Sequence, residues 1–373
     1  TEQITDSASY TDKGANLYHV FLALSASLRA GHSCLPLNEI AGQHWGKGFA
    51  KSASQKEEDS VESDNNLSHA GFVFSPLAEL QAMLTELNIK ESDQQLLVFQ
   101  RGNLYLRRYF QFESDLGQAI NSRLLQQCQY DNNKIEQCIA ALFPDKEVPN
   151  SDPLTTESKS DSIEIDWQKV AVANAINKNF SVIAGGPGTG KTYTVTKLLA
   201  ALVMLAQQSG QIKEQGVPVL NIALVAPTGK AAQRLSESIV NAIAGFKDLI
   251  DDNVLAQIPT QAQTLHRLLG VLPNSPNFKH HEDNRLAYDI VLIDEVSMVD
   301  LPLMTRVFRA LKDTAKVILL GDADQLPSVA AGSVLADIAP RPHGGYSVGN
   351  DHYLTQVCQL RGGQLGHYFS EQN

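Results

Sequence analysis

The sequence predicts an α/β protein in which a parallel sheet, covered by helices on both faces, follows a smaller, helix-rich N-terminal domain. From about residue 166 onward, short apolar runs alternate with helix-length stretches, as strands buried on both sides require. Before that point helical spacing dominates, and a stretch without periodicity separates the two patterns.

The N-terminal part opens with helical spacing of Leu17, Val20, Phe21, Leu24 and Leu28, followed by a short Cys34-Leu35-Pro36-Leu37 segment. Residues 46–70 are polar and charge-mixed, which predicts a mobile loop. A helix is expected over 75–87. Two strands, 96–100 and 103–107, are split by Arg101-Gly102 and fit a hairpin. Helical patterns return over 112–142. Residues 144–165 hold Pro144, Pro149 and Pro153 in a Ser/Thr/Glu-rich run and read as a linker. The expected division is therefore 1–150, a linker at 151–165, and 166–373. In the last region strands are expected at 180–184, 220–226, 290–293 and 317–320, with helices near 192–206, 229–243, 300–312 and 332–338. Ligands of such sheets sit at the carboxyl ends of the strands.

Composition narrows the class. No apolar run approaches the 18 or so residues that a membrane span needs, and Glu2 and Asp6 replace the basic start of a signal peptide. Cys34, Cys128, Cys138 and Cys358 lack paired spacing, so they read as reduced thiols of a cytosolic protein without zinc or an iron–sulfur cluster. The net charge of −11 excludes a uniformly basic nucleic-acid binder. It leaves room for a local track of a few donors and loop amides.

The most informative segment is Gly185-Gly186-Pro187-Gly188-Thr189-Gly190-Lys191-Thr192, between an apolar strand and a helix. Glycines let backbone N–H groups close around the phosphates of a nucleoside triphosphate, and the helix N-terminus adds partial positive charge. Lys191 can reach the β- and γ-phosphates, and the Thr192 hydroxyl can bind Mg²⁺. ATP and Mg²⁺ are the expected ligands. Ile290-Val291-Leu292-Ile293-Asp294-Glu295 is an apolar strand ending in two carboxylates. Alone it could be any strand edge. Downstream of a phosphate loop, Asp294 is placed to hold Mg²⁺ through water, and Glu295 to orient and deprotonate the attacking water. In Gly321-Asp322-Ala323-Asp324-Gln325-Leu326-Pro327 the Gln325 amide could contact the γ-phosphate, although a plain Gly/Asp turn would look the same. Gln168 has both a donor and an acceptor for the edge of adenine, or is simply the start of a helix.

These blocks, with Ala226-Pro227-Thr228-Gly229-Lys230-Ala231-Ala232 and Thr264-Leu265-His266-Arg267-Leu268-Leu269-Gly270, resemble the RecD-like branch of superfamily 1 DNA helicases. The resemblance covers about 167–340, with looser matches at Gly31–Leu37 and Leu104–Tyr109. It implies that 166–373 is a first RecA-like motor domain and 1–150 a docking domain. It implies that Gln168, the loop Gly185–Thr192 and Tyr193 meet the nucleotide, that Lys191, Asp294, Glu295 and Gln325 serve catalysis, and that Thr192 and Asp294 hold the metal. Pro227, Thr228, Gly229, Lys230, Thr264 and His266 would contact single-stranded DNA. The implied activity is ATP-dependent 5′→3′ translocation within a helicase–nuclease assembly (exodeoxyribonuclease V) of break repair and recombination, beside RecB-like and RecC-like subunits.

The motifs of a second motor domain, including its arginine, are not found before Asn373, so the chain is expected to be an N-terminal part with little turnover of its own. Arg361 is left without a role. A non-translocating subunit that uses nucleotide state as an assembly switch is the alternative reading.

Overall fold

The computed structural model describes residues 12–45, 71–87, 95–126, 130–144, 165–209, 220–322, 332, 334–339 and 343–366. The chain divides into two compact units, Thr1–Ser114 with Val329–Gly332, and Asp115–Ser328 with Ser333–Asn373.

The first unit contains α1 (Asp12–Arg29), β1 (Cys34–Pro36), α2 (Leu37–Ile40), β2 (His44–Trp45), β3 (Phe72–Val73), α3 (Leu77–Glu86), β4 (Leu97–Gln100) and β5 (Asn103–Leu106), and then the start of α4 (Arg107–Leu125). The expected spacing in α1 buries Val20 and Leu24, flanked by Leu17, Phe21 and Leu28, against Leu35, Phe74, Leu80 and Leu104. The expected hairpin forms. Its turn residues Arg101 (φ +50°) and Gly102 (φ +82°) are both left-handed, which matches the twist of a two-residue hairpin. β1 adds antiparallel to β5, giving the order β1-β5-β4, so a small sheet accompanies the helices. The loop expected at 46–70 lies outside the described residues.

The second unit continues with α5 (Asn132–Leu142), α6 (Trp167–Ile176), β6 (Phe180–Ala184), α7 (Lys191–Gln208), β7 (Ile222–Ala226), α8 (Gly229–Ala244), α9 (Asp252–Leu255), β8 (Gln263–Thr264), α10 (Leu265–Leu269), β9 (Ile290–Ile293), a 3₁₀ turn (Val296–Met298), α11 (Leu301–Ala310), β10 (Lys316–Gly321), α12 (Val334–Ile338) and α13 (Val348–Val357). Its sheet runs β6-β10-β9-β7-β8 and every described pairing is parallel. Successive strand side chains alternate between faces. Ile183, Leu224, Leu292, Ile318 and Leu320 join one core with α7, while Val225, Val291, Ile293, Val317 and Leu319 are buried as well. The four long strands match the expected ones to within two residues at either end. β8, two residues long, was too short to show in the apolar pattern.

The expected domain boundary needs correction. The compact units part at Ser114/Asp115, inside α4, and α5 belongs with the sheet. Ile135, Cys138, Ile139 and Leu142 of α5 are buried in the same core as α6 and α7. Proline-rich composition does not mark where core contacts divide. Of the expected linker 151–165, all but Ile165 lies outside the described residues.

Two buried cations tie helices to the sheet. Lys316 Nζ, on β10, donates to the carbonyls of Ala175, Ile176 and Lys178 and so serves acceptors at and just beyond the end of α6. Arg123, 1% exposed, donates to Ala119 O, Lys312 O and Ala315 O at 2.9, 2.8 and 3.1 Å and lies over the Phe308 ring. Removing it takes a charged donor from the buried Ala315 O and from the partly buried Ala119 O and Lys312 O. Arg123→Ala should lower stability by about 2–4 kcal/mol, the range for losing several buried, charge-assisted bonds. Urea unfolding of the second unit would measure it, and an unchanged midpoint would show that this helix end is not part of the unit's core.

Candidate nucleotide site

Three neighbouring strand ends on one edge of the sheet carry the site. β6 stops at Ala184, and the chain turns through Gly185–Gly190 before re-entering as α7. Gly188 and Gly190 adopt φ of +75° and +79°, a left-handed backbone that disfavours any residue with a Cβ. A Cβ on Gly190 would also lie 2.7 Å from Gln168 Nε2. Gly190 caps α7 without a side chain, so the first N–H groups of the helix remain directed into the loop. Lys191 folds back over this loop and donates to Gly185 O at 2.5 Å and Gly186 O at 2.9 Å. Thr189 Oγ1 donates to Gly186 O at 2.9 Å. Phosphate oxygens carry formal charge and these carbonyls do not, so exchange of the lysine's partners toward a phosphate is favourable.

The second strand end is that of β9. Asp294 N donates to Val225 O at 2.9 Å, extending the ladder, and its Oδ1 accepts from Glu295 N at 2.9 Å. Burial pushes the Asp294 carboxyl above the ordinary range, and the charge of Glu295 adds to this. The Glu295 amide and the Lys191 ammonium pull it back. Glu295 itself is left-handed (φ +53°, ψ +44°), an uncommon conformation for a residue with a Cβ, costing on the order of 1 kcal/mol. The bend swings the chain from the strand directly into the 3₁₀ turn.

Between these two lies the end of β10. Gly185 N donates to Gly321 O at 3.2 Å. A Cβ on Gly321 would meet Leu335 Cδ2 at 2.5 Å, so glycine permits the close approach of α12. Asp322 follows, 2% exposed. Gln325 lies outside the described residues.

On the flank of the loop, Asp166 caps α6 by accepting from Gln168 N and Lys169 N at 3.0 and 3.1 Å. Gln168 Nε2 donates to Thr189 O at 3.4 Å, which holds the amide beside the loop. A cavity of about 850 Å³ opens here, lined by Phe143, Asp166, Trp167, Gln168, Tyr193 and Lys197 among others. The Tyr193 ring lies 4.6 Å from that of Phe246.

The residues expected to meet DNA form a separate group along the same edge. Ala226 of β7 pairs with Thr264 of β8, so Pro227–Lys230 and Thr264–His266 leave the sheet side by side. Thr228 and Thr264 both have a helix-capping role: their hydroxyl oxygens accept from Ala231 N and Arg267 N, each at 3.2 Å. Gly229, Lys230 and His266 are exposed. The His266 ring rests 5.8 Å from Phe278. Arg361 is exposed.

Three residues of the site escaped the sequence reading. Asp166 could have been found as a capping residue ahead of a helix. Asp322 sits in a noted turn, and nothing in its spacing signals burial. Lys197 is the one charge of α7 beyond Lys191, a pattern open to reading as an exposed face.

Strand order, glycine loop and paired carboxylates together define a nucleotide-binding domain of the P-loop class. A family profile described as an AAA domain matches residues 168–331. Within that class the chain is RecD-like. It is 41% identical over 247 residues to the RecBCD enzyme subunit RecD of Haemophilus influenzae, an alignment covering 65% of this chain and 35% of that one. The Mycolicibacterium smegmatis protein of the same name is 46% identical over 172 residues, covering 46% and 29%. The ATP-dependent RecD2 DNA helicase of Deinococcus radiodurans is 39% identical over 158 residues, covering 42% and 17%. The chain thus spans about a third of the length of the RecD relatives it matches.

The raised pKa of Asp294 has a stability consequence of definite sign. The fold favours the protonated carboxyl, so the ionised form costs stability above the folded pKa, and the cost vanishes as pH falls below the unfolded value. Asparagine keeps an acceptor for Glu295 N without the charge. Asp294→Asn should therefore raise Tm near neutral pH, with the gain closing as pH falls through the carboxylate range. A lower Tm for the variant at neutral pH would contradict the assignment.

Proposed function

We propose that this chain binds Mg-ATP and forms the first motor domain of a DNA helicase subunit that moves 5′→3′ on single strands. The observation that carries it is the convergence of Lys191, Thr192, Asp294 and Glu295 at the carboxyl edge of one parallel sheet. The donor set suits Mg²⁺, which takes few protein ligands and completes its shell with phosphates and water. The Thr192 hydroxyl and the Asp294 carboxylate would hold it, and its burial-disfavoured charge gives that carboxylate reason to accept a cation. Bound there, the metal would neutralise charge on the phosphates.

The chain's own residues supply the rest. Lys191 would release the loop carbonyls to meet the β- and γ-phosphates, and the first N–H groups of α7 would hold the others. Glu295, turned out of the strand by its left-handed backbone, would orient the attacking water and take its proton. Gln168, fixed by the Asp166 cap, would read the adenine edge, with Tyr193 lining the same cavity. Gln325 would sense the γ-phosphate. Lys230 and His266, with the amides of Thr228–Lys230 and the hydroxyl protons of Thr228 and Thr264, would grip the DNA backbone without base preference.

The names of the relatives support a place in a RecBCD-type assembly with RecB-like and RecC-like partners. The first unit is the part we assign to docking in that assembly. We assign the protein to the cytoplasm, where its free thiols Cys138 and Cys358 stay reduced. No described helix is long and apolar enough to cross a membrane.

Hydrolysis assayed in the full-length helicase, with and without a single-stranded oligonucleotide, tests this reading. Glu295→Gln should lower turnover by roughly 10²–10⁴-fold with ATP affinity retained. His266→Ala should leave basal turnover unchanged and weaken stimulation equally for oligonucleotides of different sequence. Wild-type turnover in Glu295→Gln, or a loss in His266→Ala that depends on base sequence, would refute the respective role.

A further inference from the structure

Helix α7 is buried on almost every side, and Lys197 stands within that burial. It is 6% exposed, and its ammonium lies 3.8 Å from the ring centroid of Phe143, 5.1 Å from Tyr193 and 5.8 Å from Phe246. Among the described residues its N–H groups have no hydrogen-bond acceptor. Ring faces attract a cation without accepting its N–H groups in the way an oxygen does. Burial lowers its pKa, and the charge of Asp166 opposes this in part. Among the described residues its Nζ is not one of the enclosed side-chain atoms without a partner, so the stem is packed while the ammonium reaches the cavity. The cavity is therefore where its donors are offered.

Position gives the reason. Long side chains on a helix lean toward its N-terminus. Lys197 stands one turn after Tyr193, and both line the cavity that holds the Gln168 amide beside the phosphate loop. An ammonium offers donors only, so at this edge it rewards an acceptor and penalises an N–H or C–H group.

We infer that Lys197 is a specificity-determining residue that donates a hydrogen bond to a ring-nitrogen acceptor on the base of the bound nucleotide, next to the Gln168 amide. The aromatic cage fixes the ammonium, and the base completes its coordination. This rests on the nucleotide-site reading above and adds a second contact that reads the base.

Equilibrium binding tests it with ATP, its 1-deaza, 3-deaza and 7-deaza analogues, and tripolyphosphate. Wild type should bind at least one deaza analogue roughly 10- to 100-fold more weakly than ATP, the range for a lost hydrogen bond to a charged group. In Lys197→Met that difference should vanish, ATP should weaken by the same factor, and tripolyphosphate should bind as in wild type. A thermal melt checks the fold, and Lys197→Leu, which also carries no donor, takes the place of the methionine variant if the latter does not fold. Equal wild-type affinity for ATP and all three analogues would overturn the inference. So would a variant that keeps the full preference, or one that loses tripolyphosphate together with ATP, since the lysine would then serve the phosphates or the fold. Failure of wild type to bind either ATP or tripolyphosphate would be a different result: it would remove the nucleotide site itself.

Discussion

The parallel pairing of β6 with β10 ends on the hydrogen bond from Gly185 N to Gly321 O, and the site is arranged around it. The two strands run in register from Phe180 opposite Val317 to Ala184 opposite Gly321. β9 joins the far side of β10 in register and ends opposite Leu319, so the two carboxylates follow within two residues of the level at which the phosphate loop leaves the sheet. Two interstrand spacings, about 10 Å, separate their strands. A one-residue slip in this ladder would turn the buried faces of the strands inside out. The register that protects the core is thus the same one that sets Lys191 within electrostatic reach of Asp294.

Charge inside the second unit separates into two kinds. Arg123 and Lys316 are buried but well supplied with carbonyl acceptors, and both tie helix or turn backbone to the sheet. Asp294 and Lys197 are buried with fewer partners, and burial displaces their pKa values toward the neutral form, as it also does for Arg123. A buried charge with few partners is costly. Both such groups lie around the phosphate loop, where a nucleotide and its cation bring the opposite charge or the missing acceptor. Perturbed groups gather at functional sites for this reason.

Much of this was legible in the sequence because the determinants are local. Four apolar runs fix four strands, and glycine spacing with Lys191 and Thr192 fixes the phosphate loop. Asp294 and Glu295 are visible as the end of an apolar strand. The features that were not legible depend on tertiary partners. β8 is two residues long and exists only because β7 offers it an edge. The side of the boundary to which α5 belongs is decided by where Ile135 and Leu142 are buried, not by the prolines that follow. Thr228 and Thr264 stood out as backbone grips, and the structure adds that each is a helix cap. The aromatic surroundings of Lys197 come from α5, from α7 itself and from beyond α8, a convergence that no spacing along the chain announces.

The central claim is that a glycine loop holding one lysine binds the phosphates of a nucleotide on a fold that does not need that lysine. Equilibrium titration of Lys191→Ala with Mg-ATP, paired with circular dichroism and a thermal melt, addresses it directly. The point charge on the β- and γ-phosphates is lost, and only two bonds to loop carbonyls go with it. Affinity should collapse while the spectrum and melting profile stay those of wild type. A folded Lys191→Ala protein that binds Mg-ATP as tightly as wild type would contradict it.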